Sequence, residues 1–128
     1  MIDDALTEKI IGCAFKVYNV LGAGFLESVY KRALGLELAK AGLAHAVESP
    51  IVVDYEGTAV GSFCADIIVG GQVILELKAV DELSKIHEVQ LVNYLQATGI
   101  PIGLLINFGH QGVRVKRKFR DFAPKKES

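Results

Sequence analysis

Ser62-Phe63-Cys64-Ala65-Asp66-Ile67-Ile68-Val69-Gly70-Gly71-Gln72-Val73-Ile74-Leu75-Glu76-Leu77-Lys78-Ala79 is two apolar runs, each long enough for a β-strand, joined by residues that accept positive φ. The stretch predicts a β-hairpin. Successive strand side chains point to opposite faces, so Phe63, Ala65, Ile67 and Val69 share one face, as do Val73, Leu75, Leu77 and Ala79. A two-residue Gly-Gly turn would set one strand's apolar side chains beside the other's polar ones, because a slip of one residue inverts the faces. A three-residue loop over Gly70, Gly71 and Gln72 pairs Val69 with Val73 and aligns the two apolar sets. In that register Asp66 lies opposite Glu76, and Lys78 joins them on the same face.

Two carboxylates on paired positions repel, and in a low dielectric one takes up a proton unless a cation compensates. A divalent metal is the natural compensator, and Mg²⁺ commonly binds through one or two carboxylates, completing its shell with water and substrate phosphate. The competing reading is a buried carboxylate in a structural ion pair with Lys78.

Outward from the hairpin, Leu6 to Leu21 reads as a helix, with Ile10, Cys13, Ala14, Val17 and Leu21 on one stripe and Asp3 or Asp4 as its cap. A second helix runs from about Phe25 to Ala41, with Gly42 following it. Ile51 to Tyr55 forms a strand and Glu56-Gly57 a turn before the hairpin. A third helix spans about Leu83 to Thr98, and Ile102 to Phe108 is an almost uninterrupted apolar strand, as in a sheet covered on both faces. A basic strand from Val113 closes the order α-α-β-β-β-α-β-β. A helix between the third and fourth strands is a crossover, which predicts a mixed α/β sheet.

With 128 residues and 51% hydrophobic content, the chain has enough apolar side chains for one domain, assigned to 1–122, followed by a short basic tail over 123–128. No run is apolar enough to span a bilayer, and Met1 to Ala5 lacks a basic region followed by an apolar one, so the expectation is a cytoplasmic protein without membrane contact. Cys13 and Cys64 form no CxxC pair and read as buried free thiols; His45, His87 and His110 have no metal-ligand spacing. Net charge is −1, yet from Arg114 onward seven basic residues face two acidic ones, leaving −6 on the rest of the chain. As a strand, that segment projects Arg114, Lys116, Lys118 and Arg120 from one face, a comb suited to a phosphate backbone or, equally, to guarding a sheet edge.

Gly24-Phe25-Leu26-Glu27-Ser28-Val29-Tyr30 resembles the GxxExxY signature of small proteins assigned to the PD-(D/E)xK nuclease superfamily. Glu76-Leu77-Lys78 supplies the ExK element, Asp66 the preceding aspartate, and Gln90-Leu91-Val92-Asn93-Tyr94 is similar to the QxxxY element of its RecB-like members. Ala65 stands where the superfamily's name implies proline, at a position that varies. The resemblance implies a restriction-endonuclease-like core and metal-dependent hydrolysis of DNA phosphodiesters, in repair or processing. Asp66, Glu76 and the Leu77 carbonyl would hold Mg²⁺ or Mn²⁺, with Glu27 completing the shell or helping to bind a second ion. Lys78 would orient the attacking water or stabilise the developing charge, and Gln90 would position Lys78 or the nucleophile. Tyr30 and Tyr94 would contact nucleic acid, although spacing alone reads both as core tyrosines with hydrogen-bonded hydroxyls. His87 reads as a surface or supporting residue. The chain shows no separate DNA-reading motif, so specificity would come from a homodimer, another protein partner or substrate shape. The alternative is a nucleic-acid-binding or protein-interaction module on the same fold; a nucleotide hydrolase lacks a phosphate loop in its support.

Overall fold

The structure, a computed structural model, describes residues 4–120; Asp3 and the 123–128 tail lie outside the described residues. The elements follow in the expected order: α1 (Asp4–Leu21), α2 (Glu27–Lys40), β1 (His45–Tyr55), β2 (Thr58–Val69), β3 (Val73–Lys78), α3 (Lys85–Thr98), β4 (Ile102–Gly109) and β5 (Gly112–Phe119). Asp4 is the first residue of α1 and does not precede it as a cap. β1 and β2 run well beyond the expected segments, and nearly every position from Val52 to Ser62 is exposed.

The strands lie in chain order in one five-stranded sheet. β1, β2 and β3 are successively antiparallel, β3 and β4 are parallel, and β5 returns antiparallel to β4. The parallel pair is the crossover through α3, and this mixed sheet flanked by helices is a restriction-endonuclease-like α/β fold. At the β2–β3 turn, Gly70 and Gly71 take φ of 58° and 66°, and Val69 pairs with Val73. That is the register the alternating side chains require.

Two cores form, one on each face of the sheet. Ile10, Ala14 and Val17 of α1 and Tyr30, Leu34 and Leu38 of α2 pack with Leu75, Leu77, Leu104 and Ile106. On the opposite face Leu91 and Leu95 of α3 pack with Ile74, Leu105, Ala65 and Ile51. β4, covered on both sides, is buried along its whole length. Gly103 lies under α3, where a Cβ would come within 2.7 Å of the Leu91 side chain, so this crossing requires a residue without one.

The expected single apolar face of β2 does not persist. Ile67 and Val69 join the α1/α2 core, but Ala65 and Phe63 pack on the α3 side. The change occurs at Asp66, where β3 stops pairing with β2 and Glu48 on the other side leaves the extended backbone at φ 54°. Both cysteines are free, Cys13 half-buried and Cys64 exposed. The second corrects the expectation of two buried thiols, because Cys64 lies on the outer part of β2.

Candidate active site

The β2–β3 ladder ends at Ile67 and Leu75, one residue short of Asp66 and Glu76. There the carboxylates replace the missing backbone partners. The Leu77 amide donates to Asp66 Oδ2 at 2.8 Å, and the Asp66 amide donates to Glu76 Oε1 at 3.4 Å. Each strand therefore grips the other through an acidic side chain, which puts both carboxylates in the gap between the diverging strands.

Glu76 is largely withdrawn from solvent. Burial first, and the neighbouring Asp66 charge second, push its carboxyl up to about 8, with Lys78 pulling the other way. Glu27, the first residue of α2, is also raised, by burial and by Asp66, against Lys78, Lys31 and His87. Glu27 and Glu76 thus each feel the charges of both Asp66 and Lys78.

The GxxExxY residues divide their labour. Tyr30 is fully buried; its hydroxyl donates to the Gly22 carbonyl at 2.6 Å and accepts from the Phe25 amide at 3.3 Å, and its ring stacks on Phe108 at 4.5 Å. The expectation that Tyr30 touches nucleic acid is therefore corrected, since neither ring nor hydroxyl reaches the surface. Its place is to hold the loop that starts α2 and carries Glu27. Gly24 in that loop has φ 99°, a conformation that favours glycine.

Tyr94 stacks on Phe63 with ring centroids 3.7 Å apart, so one ring face is already covered. Burial, then Glu76 and Asp66, raise its hydroxyl's pKa. Gln90 is exposed and lies between His87 and Tyr94 on the α3 face that spacing assigns to all three. His87 Nδ1 accepts from the Ser84 amide at 3.3 Å and so supports the start of α3.

Two residues escaped the sequence reading. Lys31 Nζ lies 3.4 Å from Asp66 Oδ1 and 3.3 Å from Glu48 Oε1. Burial opposes the charge on Lys31, but Asp66 and Glu48 outweigh it and hold the ammonium above its ordinary pKa. The signal for Lys31 was its position four residues after Glu27, on the same helix face. Glu48 carried none.

The basic comb is only partly available. Lys118 is paired with Glu88 of α3 at 3.1 Å, and Arg120, beyond the end of β5, donates to the Gly99 carbonyl at 3.0 Å. The side chains of Arg114 and Lys116 make no hydrogen bond or ion pair among the described residues and line a cavity of about 710 Å³.

Comparison with known proteins identifies a family. A family model described as the PD-(D/E)XK nuclease superfamily matches residues 4–119. The chain belongs to the PD-(D/E)XK nuclease superfamily. No curated protein matches this superfamily member. Among solved structures it is similar to SSO0001, with a TM-score of 0.61 and 16% identity over 75% of this chain and 50% of that one. It is also similar to the alkaline exonuclease LHK-Exo from Laribacter hongkongensis, with a TM-score of 0.54 and 13% identity over 73% of this chain and 56% of that one. At such identities the likeness shows a shared fold. The superfamily chain spans about half the length of these structures.

The donor set fits a hard divalent cation. Asp66 and Glu76 offer two carboxylates, the number a Mg²⁺ site commonly uses. Among the described residues no three His, Cys, Asp or Glu side chains converge on a point as they stand. Two acids placed side by side, one of them strongly raised, nevertheless form an arrangement that an added cation would relieve. No helix among the described residues is long and apolar enough to cross a membrane.

Proposed function

We propose that this protein is a metal-dependent nuclease that hydrolyses DNA phosphodiester bonds, in repair or processing. The observation that carries the reading is the pairing of Asp66 and Glu76 across the parted ends of β2 and β3, with Lys78 beside them.

Asp66, Glu76 and the Leu77 carbonyl would hold Mg²⁺ or Mn²⁺, with Glu27 contributing from the start of α2. Such an ion supplies acidification of water and neutralisation of phosphate charge. Lys78 puts a cation on the same strand and face as Glu76, where it orients the attacking water or offsets charge developing on the phosphate. Gln90 positions Lys78 or the nucleophile from α3, and Tyr94 presents its uncovered side to the nucleic acid. Arg114 and Lys116 take neighbouring phosphates. A homodimer or another protein would supply the further surface a duplex needs, and the cytoplasm is the proposed location.

The test is cleavage of end-labelled linear and closed circular DNA, single- and double-stranded, with Mg²⁺, Mn²⁺ or EDTA. Cutting is expected only with metal, and Lys78→Ala is expected to abolish it while keeping the wild-type melting temperature. Cutting in EDTA, or full activity in Lys78→Ala, would sink the reading.

The non-catalytic module has one observation in its favour: Lys31 already compensates Asp66 without a metal. It gains if DNA is bound and no substrate is cut under any of these conditions.

A further inference from the structure

A cavity of about 710 Å³ lies apart from the gap between Asp66 and Glu76, and none of Glu27, Asp66, Glu76 or Lys78 lines it. It lies between the β3–α3 connection and strands β4 and β5. One wall carries Arg114 and Lys116, the opposite wall Asp81 and Glu82, with Asn107 and His110 between.

Sheet register ties this cavity to the site. Lys78 pairs with Asn107, and Asn107 with Arg114; Glu76 pairs with Leu105, and Leu105 with Lys116. Each charged residue of the ExK element therefore shares a row and a face with one cavity cation, two strands away. Neighbouring strands are about 4.8 Å apart, so the separation is about 10 Å.

The other cations of β5 are occupied. Arg117 meets Thr7 at 3.1 Å and Asp4 on the α1 side, and Lys118 and Arg120 are bonded as described. Among the described residues, the two whose side chains make no hydrogen bond or ion pair are the two in the cavity, although Lys116 is near enough to help hold the Glu88 carboxyl below its ordinary pKa. The cavity is also built to keep its shape. Asn107, only 2% exposed, receives the Val80 amide on Oδ1 at 3.0 Å and donates from Nδ2 to the Val80 carbonyl at 2.8 Å. His110 Nε2 lies 3.1 Å from Asp81 across the two connections.

We infer that this cavity is a subsite for a single nucleic-acid strand, whose phosphates near the cut rest on Arg114 and Lys116. A single strand has its phosphates on one side and its sugar and base edges on the other. Base amines and ring N–H groups, free in an unpaired strand, are hydrogen-bond donors that suit Asp81 and Glu82. A duplex would bring a second row of phosphates against those carboxylates, and like charges repel. The acidic wall thus selects one strand, or an opened end, over an intact duplex. The inference rests on the nuclease reading for its substrate class, but its test needs no cleavage.

The experiment is fluorescence anisotropy with labelled oligothymidylate and with a duplex of equal length, in EDTA, across a salt series. Each single-strand phosphate contact contributes about 0.7 to the slope of log affinity against log salt. Arg114→Gln with Lys116→Gln is expected to reduce the slope by about 1.4, each single variant by about half of that, and Lys118→Gln to leave it unchanged. Asp81→Asn with Glu82→Gln is expected to raise duplex affinity several-fold, narrowing the preference for the single strand. Wild-type protein that binds duplex as well as single strand overturns the inference, as does a Lys118→Gln slope that falls as far as the double variant's. Melting curves of each variant confirm folding, and the single variants serve if the double one does not fold. A nuclease reading that fails in the cleavage assay leaves these slopes as expected, whereas failure here leaves metal-dependent cutting intact.

Discussion

Glu76 is the residue on which charge and fold conflict most directly. Its carboxyl titrates at about 8 in the folded chain against an ordinary 4.5, so between those values the native state holds a proton that the unfolded state has released. The stability contributed by the protonated form is complete below about pH 4.5 and is lost as pH climbs through about 8. Denaturant unfolding of the wild type in EDTA is therefore expected to give a lower midpoint at pH 8.5 than at pH 5.5, by an amount Glu76→Gln substantially removes. An unchanged pH dependence in the variant would show that Glu76 is not the source. Any cation that binds here must displace that proton, so its affinity rises over the same interval. Lys31, one helical turn beyond Glu27, belongs to the same balance, because its ammonium offsets Asp66 while Glu76 stays neutral.

At the level of elements, the site depends on how α2 begins. The loop from Gly22 to Leu26 is held by the Tyr30 hydroxyl, which ties the Gly22 carbonyl and the Phe25 amide to a ring packed on β4. Tyr30→Phe keeps the ring but leaves both partners without their bond, an expected cost of about 1–3 kcal/mol in denaturant unfolding. Cleavage is expected to fall more than the loss of folded protein explains, since Glu27 is carried by the freed loop. A variant of normal stability and full activity would remove Tyr30 from any part in the site. The same logic explains why the sequence pattern reads glycine, then glutamate, then tyrosine. The glycine makes the turn, the tyrosine holds it, and the glutamate is what they deliver. Spacing read Tyr30 as a core tyrosine with a bonded hydroxyl, as the structure has it, but the partners of that hydroxyl, the Gly22 carbonyl and the Phe25 amide, were not legible, because they lie in a loop whose path no periodicity sets.

For the whole molecule, the functional groups gather where the elements part: the opened end of β2 and β3, the starts of α2 and α3, and the face of β5 turned toward α3. A ligand that binds only the folded chain adds stability by mass action, about 2.7 kcal/mol at a hundredfold excess over its dissociation constant. Mn²⁺ is accordingly expected to raise the melting temperature by several degrees, and Asp66→Asn to remove most of that rise; a shift that survives in the variant would place the ion elsewhere. The chain by itself determined the element order, the hairpin register and the encounter of Asp66 with Glu76. These follow from local periodicity and from the rule that one strand face must be apolar, and both are written in neighbouring residues. The tertiary structure alone decided that β2 changes sides at Asp66, that the Tyr30 hydroxyl ties Gly22 to Phe25, that Lys31 reaches Asp66, and that Lys118 is spent on Glu88 while Arg114 and Lys116 open into a cavity. Most of these pair residues far apart in the chain, and their meeting depends on packing and register across the whole sheet, which local periodicity does not carry.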